Sequence, residues 1–573
     1  MKKILSLAAI LLLVCVNARA YDFMVDGLCY KITGTNPNTV KVCAQNEYAE
    51  TSTKYRYNNL EGDIVIPQTV TNNGTSYTVT SIDDYCFYYV NTYAGSQKYI
   101  SSMTIPASVM YIGKNAFGMS STRAFIFNGN SQLTTIGDRG FWGCTMTNIT
   151  LPNSVINIGN GLFERCTNLQ TITLPSGLTS IPDNTFVSCN SLTTVTIPAN
   201  VESIGYHAFS SCSSLRNITL PASLTTIKER AFSSTGLTSI TIPSGVTAIE
   251  TEAFYYCKSL ANAKLQNTVM GEKQFSSCSA LTSVTFTNGI TTIPYFAFYN
   301  SGLTSVTIPS SVTTIGTQAF RECKISSLTI PSNVTTIGSY AFHGCDNLKN
   351  VTIPSTVTSI EQSAFSDCDA LKSATILNAA VSDYEFSGCP NLETVTMGEN
   401  LTTVSNNAFY NCPALVNVNF NNTNFALLKK IPNYNTQLKN VVIGNNVTAI
   451  PASVCQNWTG LESVTLPNNF SSIGNSAFSG CTQLMDVYSL RERPITIDAS
   501  VFSGVQVSGY CDLHVPEGSV GRYRAMNVWK DFYVIDEGGG HSGGGTGIKG
   551  DVNEDGVVNG SDVTALYNIL LGE

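Results

Sequence analysis

Leu303-Thr-Ser-Val-Thr-Ile-Pro309, Ser-Ser-Val312-Thr-Thr-Ile315 and Gly-Thr-Gln-Ala319-Phe320-Arg-Glu-Cys323 are followed at once by a second copy. It runs Ser327-Leu-Thr-Ile-Pro331, Val334-Thr-Thr-Ile337 and Ala341-Phe342-His-Gly-Cys345. The same phenylalanine recurs at Phe141, Phe163, Phe186, Phe209, Phe232, Phe254, Phe275, Phe298, Phe320, Phe342, Phe365, Phe386 and Phe409. The period is about 22 residues, and a unit that short cannot bury a core alone, so neighbouring units must stack. Phe87 and Phe117 extend the series upstream, and Val454, Phe478 and Phe502 extend it downstream. About nineteen slots result. Length alone suggests roughly four domains for 573 residues; the repeat makes residues 58–484 one solenoid instead.

Within a unit, V-T-[IL]-P alternates with period two and reads as a short strand. Val306 and Ile308 point inward and Thr307 outward. Pro309 ends the strand because it has no N–H to donate. Val312 and Ile315 return inward, and Ala319-Phe320 closes the far side. Two departures stand out: Cys86 replaces the alanine, and the unit over Asn421 to Tyr434 lacks the Ala-Phe pair, which predicts a bulge or kink there.

These residues resemble the BspA-type (Treponema pallidum-type) leucine-rich repeats, whose pattern is L-x-x-[IV]-x-[IL]-P-x-x-[VL]-x-x-I-x-x-x-A-F-x-x-C. Phe23 to Ile32 with Thr39 to Cys43 is similar to that family's N-terminal capping hairpin, placed over 21–57. Leu513 to Ser519 with Tyr523, Trp529 and Phe532 is similar to its C-terminal cap, placed with the last repeat over 485–536. The resemblance implies a secreted or cell-surface bacterial protein. Its solenoid face would bind a protein ligand, host matrix or bacterial surface protein, in adhesion. The expected fold class is a repeat solenoid of short parallel β-strands with two caps and an EF-hand-like tail.

Composition narrows the function further. Charged residues are 12% and hydrophobic residues 43%, with a formal net charge of −8. An acidic chain lacks the basic footprint that nucleic acid requires. Lys2-Lys3, the apolar run Ile4 to Val16 and Ala18-Arg19-Ala20 read as a signal peptide over 1–20. No later apolar run is long enough for a membrane span.

Chemistry-bearing residues are few. Most of the 18 cysteines fall three residues after the repeat phenylalanine, from Cys144 to Cys481, and none forms a C-x-x-C pair. In-register stacking sets them parallel, so they read as buried packing residues. Cys29 and Cys43 lie on opposite strands of the hairpin and are the better disulfide candidates. His207 and His343 flank the repeat phenylalanine singly and read as edge residues, and Gly540-His-Ser-Gly-Gly544 matches a nucleophile elbow without the strand and helix one needs. Nothing here assembles an enzyme. The outward threonines, among them Thr150, Thr173, Thr196, Thr241, Thr285, Thr352, Thr375, Thr396 and Thr465, are either a binding platform or a water-soluble β surface.

After a glycine-rich linker over 537–548, residues 549–573 carry a calcium motif. Asp551, Asn553, Asp555, Val557, Asn559 and Asp562 occupy positions 1, 3, 5, 7, 9 and 12 of an EF-hand-like loop, and Gly556 makes its sharp turn. Val563, Leu566, Tyr567 and Leu570 stripe the following helix. The segment resembles one of the two loop–helix repeats of a type I dockerin, which implies a cohesin partner. The competing reading is therefore a non-catalytic component of a dockerin–cohesin complex that binds polysaccharide. Trp142, Trp458 and Trp529 are too scattered to form a sugar platform.

Overall fold

The computed structural model describes residues 20–45, 57, 60–90, 99–287, 289–431 and 438–538. They form a parallel β-solenoid of stacked coils with almost no helix. Its chain falls into two compact units, one ending at Leu303 and one beginning at Thr304.

The first unit opens on an antiparallel cap, Phe23–Val25, Leu28–Thr35 and Asn38–Cys43. Asn38–Cys43 then pairs in parallel with Thr75–Ile82, which hands the cap's core to the coils. Beyond it each coil has three sides. Asn148–Thr150, Thr171–Thr173 and Thr194–Thr196 stack in register, so Ile149, Ile172 and Val195 lie one above another. Ser180–Ile181, Ser203–Ile204, Thr226–Ile227 and Ala248–Ile249 form a second ladder from the V-x-x-I segment. Period-two alternation buries the Ile or Val and leaves the hydroxyl outside, as the sequence predicts.

The third side is built from turns, and backbone hydrogen bonds still join the coils there. Gly161, Phe163 and Arg165 donate their N–H groups to the carbonyls of Asp183, Thr185 and Val187 at 2.8, 2.9 and 2.7 Å. The intervening Glu164 and Cys166 donate within their own coil. Residues two before and two after the phenylalanine are left-handed: Asn184 at φ 59° and Ser188 at φ 61°, His207 at φ 53° and Ser211 at φ 63°. A non-glycine residue there costs roughly 1–2 kcal/mol, which the ladder bonds offset. A β-branched residue adds to that cost. Ser188→Val is expected to destabilise by roughly 1–3 kcal/mol, whereas Ser188→Gly is neutral or slightly stabilising. Urea denaturation of the two variants measures the difference; equal midpoints would contradict it.

The buried phenylalanines run down the middle. From Phe87 through Phe298 consecutive rings lie 5.1 to 5.7 Å apart and within 18° of parallel. The second unit repeats this from Phe320 through Phe409. Offset stacking at these distances is favourable for aromatic rings.

The described cysteines are buried free thiols, and the column has a second task. Cys166 Sγ lies 3.0 Å from the Phe141 carbonyl, Cys189 Sγ 3.1 Å from Phe163, and Cys345 Sγ 3.3 Å from Phe320. Each thiol donates to the phenylalanine carbonyl of the preceding coil, an oxygen that already accepts one backbone bond within its own coil. Packing alone, as read from the sequence, omits this. Cys29 and Cys43 are direct register partners, both free thiols here, with the Tyr57 hydroxyl between the Cys29 N–H (2.9 Å) and the Cys43 carbonyl (2.7 Å).

The kink expected at Asn421–Tyr434 does not reach the strand side. Asn417–Phe420 pairs with Asn440–Ile443 residue for residue. The lost Ala-Phe is replaced by Phe425, Leu427 and Leu428 around a single 3-10 turn, Leu428–Lys430. Near the end of its described residues the second unit carries the short helix Val520–Arg524, the fully buried Trp529, whose indole N–H donates to the Ile495 carbonyl at 2.8 Å, and a last strand, Ile535–Asp536.

Candidate functional site: the outward strand face

Over part of the first unit the outward strand positions are exposed hydroxyls, and Asn148, Asn262 and Lys264 interrupt them. Thr171 and Thr194 are register partners in one column, and Thr150, Thr173 and Thr196 in the next. The backbone spaces them at about 4.8 Å, so this face is a rigid two-column array.

The second unit differs. Thr396 and Thr465 are buried, contrary to a uniform outward column, because larger side chains one coil later lie over them. Asn419 is the register partner of Thr396 and donates to its hydroxyl at 3.1 Å; Tyr488 is the partner of Thr465. The adjoining column is tied together as well. Asn417 Nδ2 donates to Thr394 Oγ1 at 3.2 Å, Asn440 Nδ2 to Asn417 Oδ1 at 2.8 Å, and Ser463 Oγ to Asn440 Oδ1 at 2.7 Å.

This amide and hydroxyl ladder ends in a charged, aromatic group. Asp486 and Tyr488, Asp512 and His514, and Asp536 come from three successive parallel strands. His514 Nδ1 lies 2.7 Å from Asp536 Oδ1, and its Nε2 lies 3.1 Å from Asp486 Oδ1. The Tyr488 and His514 rings stack at 4.5 Å. Burial opposes the histidine's charge, but the hydrogen bonds and charges of the two aspartates raise its pKa above the ordinary value. Burial and then the three carboxylates push Tyr488 up to about 12. With both ring nitrogens engaged by carboxylates, His514 bridges Asp486 and Asp536. Nothing in the sequence marked this group; the only signal is Tyr, His and Asp standing where the consensus places threonine.

The singled-out histidines stay apart from it. His343 Nδ1 lies 2.8 Å from Ser366 Oγ and 3.3 Å from Asp367 Oδ2, so it joins two coils at their edge. Burial, then Arg230, lowers the His207 pKa. Sequence reading weighed only tryptophans as aromatic platforms, whereas Tyr206, Tyr256 and Tyr295 are exposed beside the repeat phenylalanines of the first unit. Among the described residues no three His, Cys, Asp or Glu side chains are grouped to hold a metal, and no helix is long and apolar enough to cross a membrane. The calcium-loop residues Asp551, Asn553, Asp555, Val557, Asn559 and Asp562 lie outside the described residues, as does the leader up to Arg19.

A family model described as the BspA type leucine rich repeat region matches residues 80–215, 179–301, 268–380 and 378–485. No curated protein matches the chain. Among solved structures, a leucine-rich repeat protein from Bacteroides ovatus is 26% identical with a TM-score of 0.46, covering 70% of this chain and 94% of its own. A leucine rich cell surface protein from Faecalibacterium prausnitzii is 26% identical with a TM-score of 0.32, covering 77% and 93%. The Treponema pallidum leucine-rich repeat protein is 18% identical with a TM-score of 0.20, covering 52% and 88%.

Proposed function

The chain belongs to the BspA-type leucine-rich repeat family, and on that footing we propose that it is an exported, surface-associated bacterial adhesin. Its outward strand face binds a macromolecule, a protein of the host matrix or of another bacterial surface. The observation that carries this reading is the patch of exposed, register-locked hydroxyls from Thr150 to Thr196, which the backbone ladders hold in place before any ligand arrives. Preorganisation of that kind lowers the ordering cost of binding. The repeat fold is one typically without catalysis.

The tail supports a second, alternative reading. Asp551, Asn553, Asp555, Asn559 and Asp562 offer side-chain oxygens and Val557 its carbonyl, a donor set suited to calcium. A calcium-loaded loop and helix would attach the protein to a cohesin, making it a non-catalytic part of an extracellular complex that holds polysaccharide.

The full mature chain, passed over immobilised fibronectin, fibrinogen and a cohesin with and without a chelator, separates the two. Adhesion through the face predicts retention on a matrix protein that ignores the chelator and falls at least about tenfold, roughly 1.4 kcal/mol, in Thr173→Lys/Thr196→Lys. Retention by cohesin alone, lost in Asp551→Ala/Asp555→Ala, would sink adhesion in favour of assembly.

A further inference from the structure

Two coils are two residues shorter than their neighbours. The difference lies between strand and phenylalanine: Ile242 to Phe254 and Ile353 to Phe365 in the longer coils, Leu265 to Phe275 and Ile376 to Phe386 in the shorter ones. Each longer coil buries a valine (Val246, Val357) and the alanine before its phenylalanine (Ala253, Ala364). Each short coil has an asparagine following its strand, Asn267 or Asn378. Where the alanine stood it has a long polar side chain, Gln274 or Glu385. All four are essentially without solvent exposure.

The two coils are wired alike. Asn267 Nδ2 donates to the Val269 carbonyl, and Asn378 Nδ2 to the Ala380 carbonyl at 2.7 Å. Gln274 Oε1 accepts the Gly271 N–H at 2.9 Å, and Glu385 Oε2 accepts the Ser382 N–H at 2.7 Å. The same two atoms are then left in each coil: Asn267 Oδ1 with Gln274 Nε2, and Asn378 Oδ1 with Glu385 Oε1. Such buried atoms are costly unless something pairs them.

We infer that each short coil is an internal site for one water molecule, and that Glu385 stands in its site as a neutral carboxylic acid. In the first unit the water accepts a hydrogen from Gln274 Nε2 and donates one to Asn267 Oδ1. In the second it accepts from Glu385 Oε1–H and donates to Asn378 Oδ1. Two polar partners suffice for a buried water. An ionised Glu385 would offer only acceptors, and a carboxylate buried without a cation is strongly disfavoured. The titratable groups around it are engaged elsewhere: Glu361 of the preceding coil accepts from Ser339, and Asp383 of its own coil from Ser405, while Tyr384 is exposed. The following coil brings Ser405, Asn406, Asn407 and Ala408, none of which titrates.

Burial drives the Glu385 carboxyl up to about 8, against the lowering effect of Ser382. Because the folded pKa lies above the unfolded value, its stabilising contribution is complete below the unfolded carboxylate pKa. It declines as pH rises through about 8. The matching glutamine makes Glu385→Gln the informative variant. In the full chain, the melting midpoint of the wild type is expected to fall by several degrees between pH 6 and pH 9. Glu385→Gln removes most of that fall, and Gln274→Glu adds a second one. If Gln274→Glu does not fold, amide exchange over Val381–Phe386 serves instead, with wild-type protection dropping at least tenfold over that range once intrinsic exchange is corrected, and Glu385→Gln holding it. A crystal structure is expected to place one water at each site. An unchanged pH slope in Glu385→Gln, or direct Glu385–Asn378 bonding with no water between, would overturn the inference.

Discussion

Replacing Phe254 by alanine is expected to destabilise the first unit by about 3–5 kcal/mol, the largest effect of any single substitution considered for this chain. The ring has no solvent exposure and lies 5.1 Å from Phe232 and 5.5 Å from Phe275. Its removal deletes two ring contacts and leaves a cavity whose walls are held by backbone ladders on both sides, so the coils cannot close around it. Because each repeat touches only its neighbours, the loss falls on two coil interfaces at once. Phe254→Leu keeps most of the buried apolar area and should cost well under half as much. Urea unfolding of both variants reads the difference directly, and amide exchange should show the loosening centred on residues 232–275. A cost for Phe254→Ala below about 1 kcal/mol, the value for an ordinary substitution, would mean that the ladders and not the aromatic column hold the stack.

The second large effect is chemical. Every described cysteine is buried, and burial lifts the thiol pKa at most of them, to about 12 at Cys166 and Cys412, whereas at Cys257 burial is outweighed by hydrogen bonds from Cys278 and Thr235, which lower it. A thiol reagent at pH 8 is therefore expected to label the native solenoid about a thousandfold more slowly than the urea-unfolded chain, since attack requires local opening. The hydrogen bond to the preceding phenylalanine carbonyl makes a finer distinction. Cys189→Ser retains a donor, and coils of this chain already use hydroxyls at the equivalent position, Ser120 and Thr235. Cys189→Ala retains the small volume and loses the donor, with an expected cost of roughly 1–2 kcal/mol. If serine and alanine prove equally stable there, the column is filler only. Rapid native labelling would mean that the thiols are not shut inside the coils.

Much of the architecture was legible because a 22-residue period repeats one physical solution. Ile308 inward, Thr307 outward and Phe320 closing the coil follow from alternation and volume alone. So does the burial of cysteines in a chain with few charges. Val306, by contrast, is only half-buried, and its stretch makes a single bridge, Ser305 to Ser327, in place of the expected strand. Other features depended on a neighbouring coil. The left-handed positions flanking the phenylalanines carry only a partial composition signal: glycine takes them at Gly143, Gly344, Gly388 and Gly480, but serine, histidine, arginine and tyrosine take them elsewhere. The degenerate unit at Asn421–Tyr434 promised a bulge or kink; over its described residues, which stop at Ile431, Phe425 and Leu428 are buried, and the strand register passes from Asn417–Phe420 to Asn440–Ile443 unaltered.

The outward face divides the two kinds of knowledge most sharply. Alternation along one strand determined that Thr173, Thr396 and Thr465 point away from the core, and that reading needs nothing beyond the chain itself. Whether such a threonine meets solvent was decided by the residue stacked beside it from the next coil: Thr196 beside Thr173, but Asn419 beside Thr396 and Tyr488 beside Thr465. Likewise the pKa of His514 is raised by Asp486 and Asp536, 28 and 22 residues away, and Glu385 loses its charge because a shortened coil encloses it. Periodicity is local and can be read in order; exposure and charge depend on neighbours about 5 Å away in space that only the stacked register brings together.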